Sequence, residues 1–166
     1  LLAGPVTMAG TVPLEFAAFT TLYIDPLPMF YSEGRFSVWT ITLFGQIVLI
    51  GRLTTTEASG TIFTVEVYIP VGEDYWIGLP TPDYATTGTT LSLETSYDLG
   101  VRVVDNGTDF DVIKTVDGVD GSSVNVPVPL PGIQRVVPYH MDEDANTGES
   151  GPSILVRYYG FELLTS

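Results

Sequence analysis

The sequence predicts an all-β protein, with antiparallel strands closed into a sandwich or barrel. Three observations carry this. Apolar and polar residues alternate with period two from end to end, no window holds the i, i+3, i+4, i+7 stripe of a useful helix, and Pro, Gly, Asp and Asn cluster between the alternating runs. At 166 residues the chain is expected to form one domain, 1–166, large enough to bury a two-layer core.

In order along the chain, residues 1–11 read as an extended arm and 12–19 as the first strand. In 36–44, Trp39, Ile41 and Leu43 share one face, while Phe36, Val38 and Phe44 join Thr40 and Thr42 on the other. Both faces carry bulk, so this strand is either central in a sandwich or pressed against a neighbouring subunit. Strand 47–54 follows, and then "TIFTVEVYI" alternates Thr61, Phe63, Val65, Val67 and Ile69 against Ile62, Thr64, Glu66 and Tyr68. Further strands are read at 75–79, at 91–97 ("LSLETSY", with Leu91, Leu93, Thr95 and Tyr97 on one face), at 101–104, 110–116, 124–128 and 154–164. They are β-branched and aromatic, as a half-buried pleated surface prefers. "DNG" in "VVDNGTDF" marks a hairpin joining 101–104 to 110–116, and "VDGVDGSS" and "MDEDANTGESGP" are turn clusters. No fixed-period repeat or internal linker is visible.

Charge excludes some partners. Against 20 acids stand six bases, Arg35, Arg52, Arg102, Lys114, Arg135 and Arg157, all scattered singly. A groove that tracks phosphates, or a patch that meets anionic lipid, needs clustered cations, so neither nucleic acid nor membrane is an expected partner. Hydrophobic residues make up 45% and charged residues 16%, with mean hydropathy +0.28, which speaks against disorder and for partner subunits that cover apolar surface. Without cysteine there is neither a disulfide framework nor thiolate chemistry. The opening "LLAGPVTMAG" reads as a processed or trimmed end rather than a secretory leader.

Catalytic patterns are sparse. His140 is the only histidine and no G-x-S-x-G elbow presents a serine, so a Ser-His-Asp triad lacks its parts; a lone histidine in a loop reads as a surface residue. Phosphate-cradling and dinucleotide glycine patterns are absent, and no cofactor is expected. Among 20 acids a glycosidase pair has no distinguishing mark, so the chain is read as a non-enzyme. "DEDANTGES" spaces Asp142, Asp144 and Asn146 like calcium ligands, but glycine falls seventh and the twelfth position is Ser153, so it is no EF-hand. A looser calcium site there, or at Asp117 and Asp120, competes with a plain solvated acidic loop.

In order, "LPMFYSEGRFSVWTI", "IGRLTTT", "VEVYIP", "SSVNVPVPLPG" and "VVPYH" resemble the single jelly-roll capsid proteins of picorna-like icosahedral viruses. Glu33-Gly34-Arg35, Gly51-Arg52-Leu53 and Val137-Pro138-Tyr139 stand where that family has corresponding steps, although it tends to have arginine before the glycine of Gly34 and a basic arm ahead of the first strand. The resemblance implies a jelly roll, a shell-forming structural subunit of the virion, and partners that are copies or sister chains. Glu33 and Arg35, with His140 beside the acidic loop, become interface candidates. The competing expectation is an extracellular, lectin-like or fibre-tip β-sandwich that binds carbohydrate without catalysis. There "GEDYWIGLPTPDYATTG" would offer Tyr75, Trp76 and Tyr84 for stacking on a sugar.

Overall fold

Alternation of buried and exposed side chains fixes two faces per strand, and the chain closes these faces on one another in two antiparallel sheets. The computed structural model describes residues 6–7, 15–24, 34–43, 47–56, 60–69, 81–142 and 154–164, with the backbone alone for 6–7, 34–37, 55–56, 133–142 and 154–164. These form β1 (Val6–Thr7), β2 (Glu15–Ile24), β3 (Gly34–Leu43), β4 (Ile47–Thr56), β5 (Gly60–Tyr68), β6 (Tyr84–Ala85), β7 (Thr89–Leu91), β8 (Thr95–Asp105), β9 (Phe110–Val116), β10 (Val119–Val126), β11 (Ile133–Asp142) and β12 (Ile154–Leu164). One sheet runs β1-β11-β3-β4-β5-β6, with β7 also on β5; the other runs β10-β9-β8-β2-β12. No helix occurs among the described residues. The architecture is the expected two-sheet antiparallel sandwich, and the strands that precede and follow each crossover lie in opposite sheets, as in a jelly roll.

The core is a single apolar layer. Phe16, Leu22, Ile24, Leu99, Val101, Val103, Phe110 and Val112 of the five-stranded sheet cluster with Trp39, Ile41, Leu43, Leu49, Leu53, Phe63, Val65 and Val67 of the seven-stranded one. Each such side chain contributes about 1.5–3 kcal/mol on full burial. β2 shows the cause most simply: its ten residues alternate half-buried and buried without a break.

Bulk on both faces of the β3 and β4 segment also has its explanation. On the face of β4 opposite the core, Val48 and Ile50 cluster with Tyr68 of β5, and Arg52 beside them is 3% exposed. A single chain thus buries both faces of β4, with no neighbouring subunit needed. Val38 and Trp39 are both buried because a register shift against β4 falls between Ser37 and Trp39.

Several expectations are corrected. The run 91–97 is not one strand: Glu94 adopts φ 55, its N–H donates to Ile24 O at 2.7 Å, and Thr95 Oγ1 donates to Leu93 O at 2.9 Å. This turn separates β7 from β8 and leaves Leu93 exposed, although it was expected on the face of Leu91. β8 then runs unbroken through 95–105, because Gly100 continues the ladder. The first strand continues to Ile24, beyond the expected end at 19, and β10 starts at Val119 instead of 124. His140 lies in a strand, not a loop. β11 carries it through Pro138, with a register shift against β3 between Pro138 and Met141, the kind of irregularity at which a ladder tolerates proline. Within the expected arm, Val6 and Thr7 pair with Val136 and Arg135 of β11. The strand expected at 75–79 lies outside the described residues.

Candidate functional site

Three polar constellations stand out from the apolar architecture. The first is Arg52 on β4 with Glu66 and Tyr68 on β5. Arg52 Nε donates to Glu66 Oε1, Arg52 Nη2 donates to Tyr68 Oη at 3.0 Å, and Tyr68 Oη donates to Glu66 Oε1 at 3.0 Å. Burial, reinforced by the Glu66 charge, pushes the Tyr68 phenol up to about 12. Arg52 and Tyr68 are buried, Glu66 is partly so, and the group ties two strands together.

The second is Lys114, which β9 places on the core-facing side, 1% exposed. Its Nζ crosses to the other sheet and donates to Phe63 O of β5, at 3.4 Å, and to Thr87 O, which also accepts from Ser122 Oγ at 3.1 Å. Among the described residues no carboxylate pairs with it. Desolvation lowers its pKa from the ordinary lysine value. This is a strut between sheets.

The third is open to solvent. On the outer face of the five-stranded sheet lies a depression of about 350 Å3, lined by Ala17, Phe19, Asp98, Arg102, Thr115 and Asp120, among others. The strand register builds it. Gly100 of β8 stands between Phe19 of β2 and Thr115 of β9, and two residues away along β8 lie Asp98 and Arg102. A Cβ at Gly100 would come within 2.5 Å of Ala18 O and 2.8 Å of Thr115 Oγ1, so only glycine leaves both the ladder and the hollow intact.

Hydrogen bonds fix the walls. Arg102 Nε donates to Asp120 Oδ1 at 3.3 Å and its Nη2 to Asp120 Oδ2 at 2.5 Å, while Nη1 reaches Glu15 Oε1. The two carboxylates raise the guanidinium's pKa further, Asp120 foremost. At the other end, Thr21 Oγ1 donates to Asp98 Oδ1 at 2.5 Å. Asp98 and Asp117 exchange two bonds, Asp98 N to Asp117 Oδ1 at 2.8 Å and Asp117 N to Asp98 O at 2.7 Å. The β9–β10 turn, with Asp117 at φ 53 and Gly118 at φ 77, is thereby docked on β8, and the hollow is preformed.

Of the expected site residues, Arg35, His140 and Asp142 fall toward one end of the β3–β11 pair, where Asp142 stands opposite Phe36. Asp117 and Asp120 flank one turn, but Asp117 accepts from a backbone amide and Asp120 from Arg102; among the described residues no acidic group is arranged to hold a metal. Asp142 ends β11, and Asp144 and Asn146 lie outside the described residues, as does Glu33. Arg35 takes its place in β3 opposite Thr54, and His140 in β11; their side chains are outside the description. Tyr84 pairs with Val67 at the sheet edge, half-buried against the core, while Tyr75 and Trp76 are outside the described residues. Phe19, Asp98 and Arg102 were not singled out by the sequence. The one available signal was Gly100 in "YDLGVRVV", a glycine inside a strand-like run.

No family model and no curated protein matches the chain. Among solved structures it is similar to the CBM2 module of the evolved Dit of Lactobacillus casei BL23 phage J-1, at 16% identity, covering 98% of this chain and 69% of that one, with a TM-score of 0.56. A legume lectin-like domain from Entamoeba histolytica is similar at 11% identity, covering 93% of this chain and 74% of that one, with a TM-score of 0.57. At such identities the likeness is one of fold, and neither structure is a picorna-like capsid protein.

Proposed function

We propose that the chain is a non-catalytic saccharide-binding module, with the depression over Gly100 as its binding face. The observation that carries this reading is the convergence of an aromatic wall, a hydroxyl and acceptor carboxylates on one preformed hollow open to solvent. A sugar ring asks for this mixture: acceptors for its hydroxyls and an apolar surface for its C–H face. The volume suits one or two rings. Neither carboxylate sits in the apolar surroundings that make a general acid, since Asp120 pairs with Arg102 and Asp98 accepts from Thr21 and stands exposed.

The fold likeness to a carbohydrate-binding module of a phage and to a lectin-like domain supports the same reading, and with it a place at a cell surface or on a virion where saccharides are displayed. A shell subunit draws less support, because burial of both faces of β4 within one chain removes the main reason to expect neighbours. Calorimetric titration against an oligosaccharide panel tests the proposal. Phe19→Ala and Asp98→Ala should each weaken the best binder about tenfold or more, the loss expected when a ligand contact of about 1.5 kcal/mol goes, with the thermal midpoint little moved. Absence of binding across the panel overturns it.

A further inference from the structure

We propose that the saccharide this hollow selects carries a free amine. The inference rests on the binding-module reading and narrows it by charge. Among the described residues four carboxylates, Glu15, Asp98, Asp117 and Asp120, and one guanidinium, that of Arg102, lie in or beside the hollow. Three of the five N–H donors of that guanidinium are committed to Glu15 and Asp120, and its charge is more than offset by those two partners. A uronic, sialic or sulfated sugar would therefore meet net negative charge with no unclaimed cation to receive it.

Asp98 supplies the opposite preference. Its Oδ1 accepts from Thr21, and among the described residues no hydrogen bond engages its Oδ2. It stands at the end of the hollow away from the Arg102–Asp120 pair, so an ammonium beside Asp98 is not repelled at contact by Arg102. A charge-assisted bond from an ammonium to this carboxylate is roughly twice as strong as one from a hydroxyl. The hollow thus receives the C–H face of a ring on Phe19 and its protonated amine at Asp98, with Thr115 within reach of a ring hydroxyl. The chain as a whole, at net charge −14, favours the approach of cationic ligands in the same sense.

The experiment compares oligomers of glucosamine, of N-acetylglucosamine and of galacturonic acid as ligands for the full chain, at a pH between the carboxylate and amine ranges. The glucosamine oligomer is expected to bind at least tenfold more tightly than its acetylated counterpart, and the galacturonic oligomer not at all. Asp98→Asn should erase the preference for the amine while leaving the weaker binding of the acetylated oligomer, and added salt should weaken only the glucosamine complex. Circular dichroism of the variant confirms that it is folded. Equal binding of free and acetylated oligomers, lost in Phe19→Ala, overturns the amine and keeps the module. Preferred binding of the galacturonic oligomer also overturns it, and a glucosamine complex indifferent to Asp98→Asn does so too. Failure of all three oligomers and of every neutral saccharide tried overturns both readings.

Discussion

Two side chains carry chemistry that the core would not tolerate without specific partners. Lys114 holds a polar head inside the sandwich against two carbonyls, and an ammonium there forgoes hydration with, among the described residues, no carboxylate in return. Lys114→Met keeps the stem's apolar contacts and removes the head, so urea unfolding should shift by less than about 1 kcal/mol, whereas Lys114→Ala, which leaves a cavity, should cost about 2–4 kcal/mol. The pH dependence has a definite sign. The folded lysine's pKa lies below its ordinary value of 10.5, so between the two the unfolded chain binds more protons and stability rises with pH. In Lys114→Met that rise should vanish. Tyr68 acts in the opposite direction in a higher window: its phenol titrates near 12 against 10.0 when unfolded, so the folded state keeps its proton longer and stability falls as pH climbs through that range. Tyr68→Phe should remove this alkaline fall, read from unfolding midpoints across the window.

At the scale of elements, alternation located several strands from the sequence alone. β9, β12 and most of β5 lie where alternation put them, and the "DNG" hairpin joins β8 to β9 through Asp105 opposite Phe110. Two of the errors share a cause: the sequence marks a change of direction or a missed rung by one residue whose backbone angle is invisible. Glu94 turns the chain although glutamate is no turn signal, and Pro138 suggests a break where β11 only shifts register. The candidate site was illegible for a related reason. Phe19, Asp98, Arg102 and Asp120 come from three strands, β2, β8 and β10, and only the pairing of β2, β8, β9 and β10 makes them neighbours. The β9–β10 turn tests this dependence. Asp117 and Gly118 both have positive φ, as a two-residue type I′ hairpin requires, so Gly118→Val should cost about 1–3 kcal/mol through backbone strain. Because the same turn walls the hollow, saccharide affinity should fall with it, whereas Gly107→Ala at the distant β8–β9 turn should lower stability alone. Calorimetry on both variants separates the two effects.

For the whole molecule, hydropathy and charge argue in opposite directions about association. A mean hydropathy of +0.28 suggests subunits that cover one another's apolar faces. Much of that apolar content is consumed internally, because the seven-stranded sheet buries residues on both sides of β4, and the described large hydrophobics left exposed are Leu93, in the turn before β8, and Val119, at the start of β10. Scattered residues of this kind do not make an interface. Net charge −14 adds mutual repulsion at neutral pH, which at 0.1 M salt is screened beyond about 10 Å. Sedimentation velocity at neutral pH and moderate salt should therefore show one species near 18.0 kDa. As pH falls toward the isoelectric point of about 4.1 the repulsion disappears, and light scattering should report association that reverses when the pH is restored. A binding module needs only the monomer, since Phe19, Asp98 and Arg102 come from one chain. If stable oligomers or closed shells dominate at neutral pH instead, the apolar content has a use outside the single chain, and the shell-subunit reading regains the ground that burial within β4 took from it.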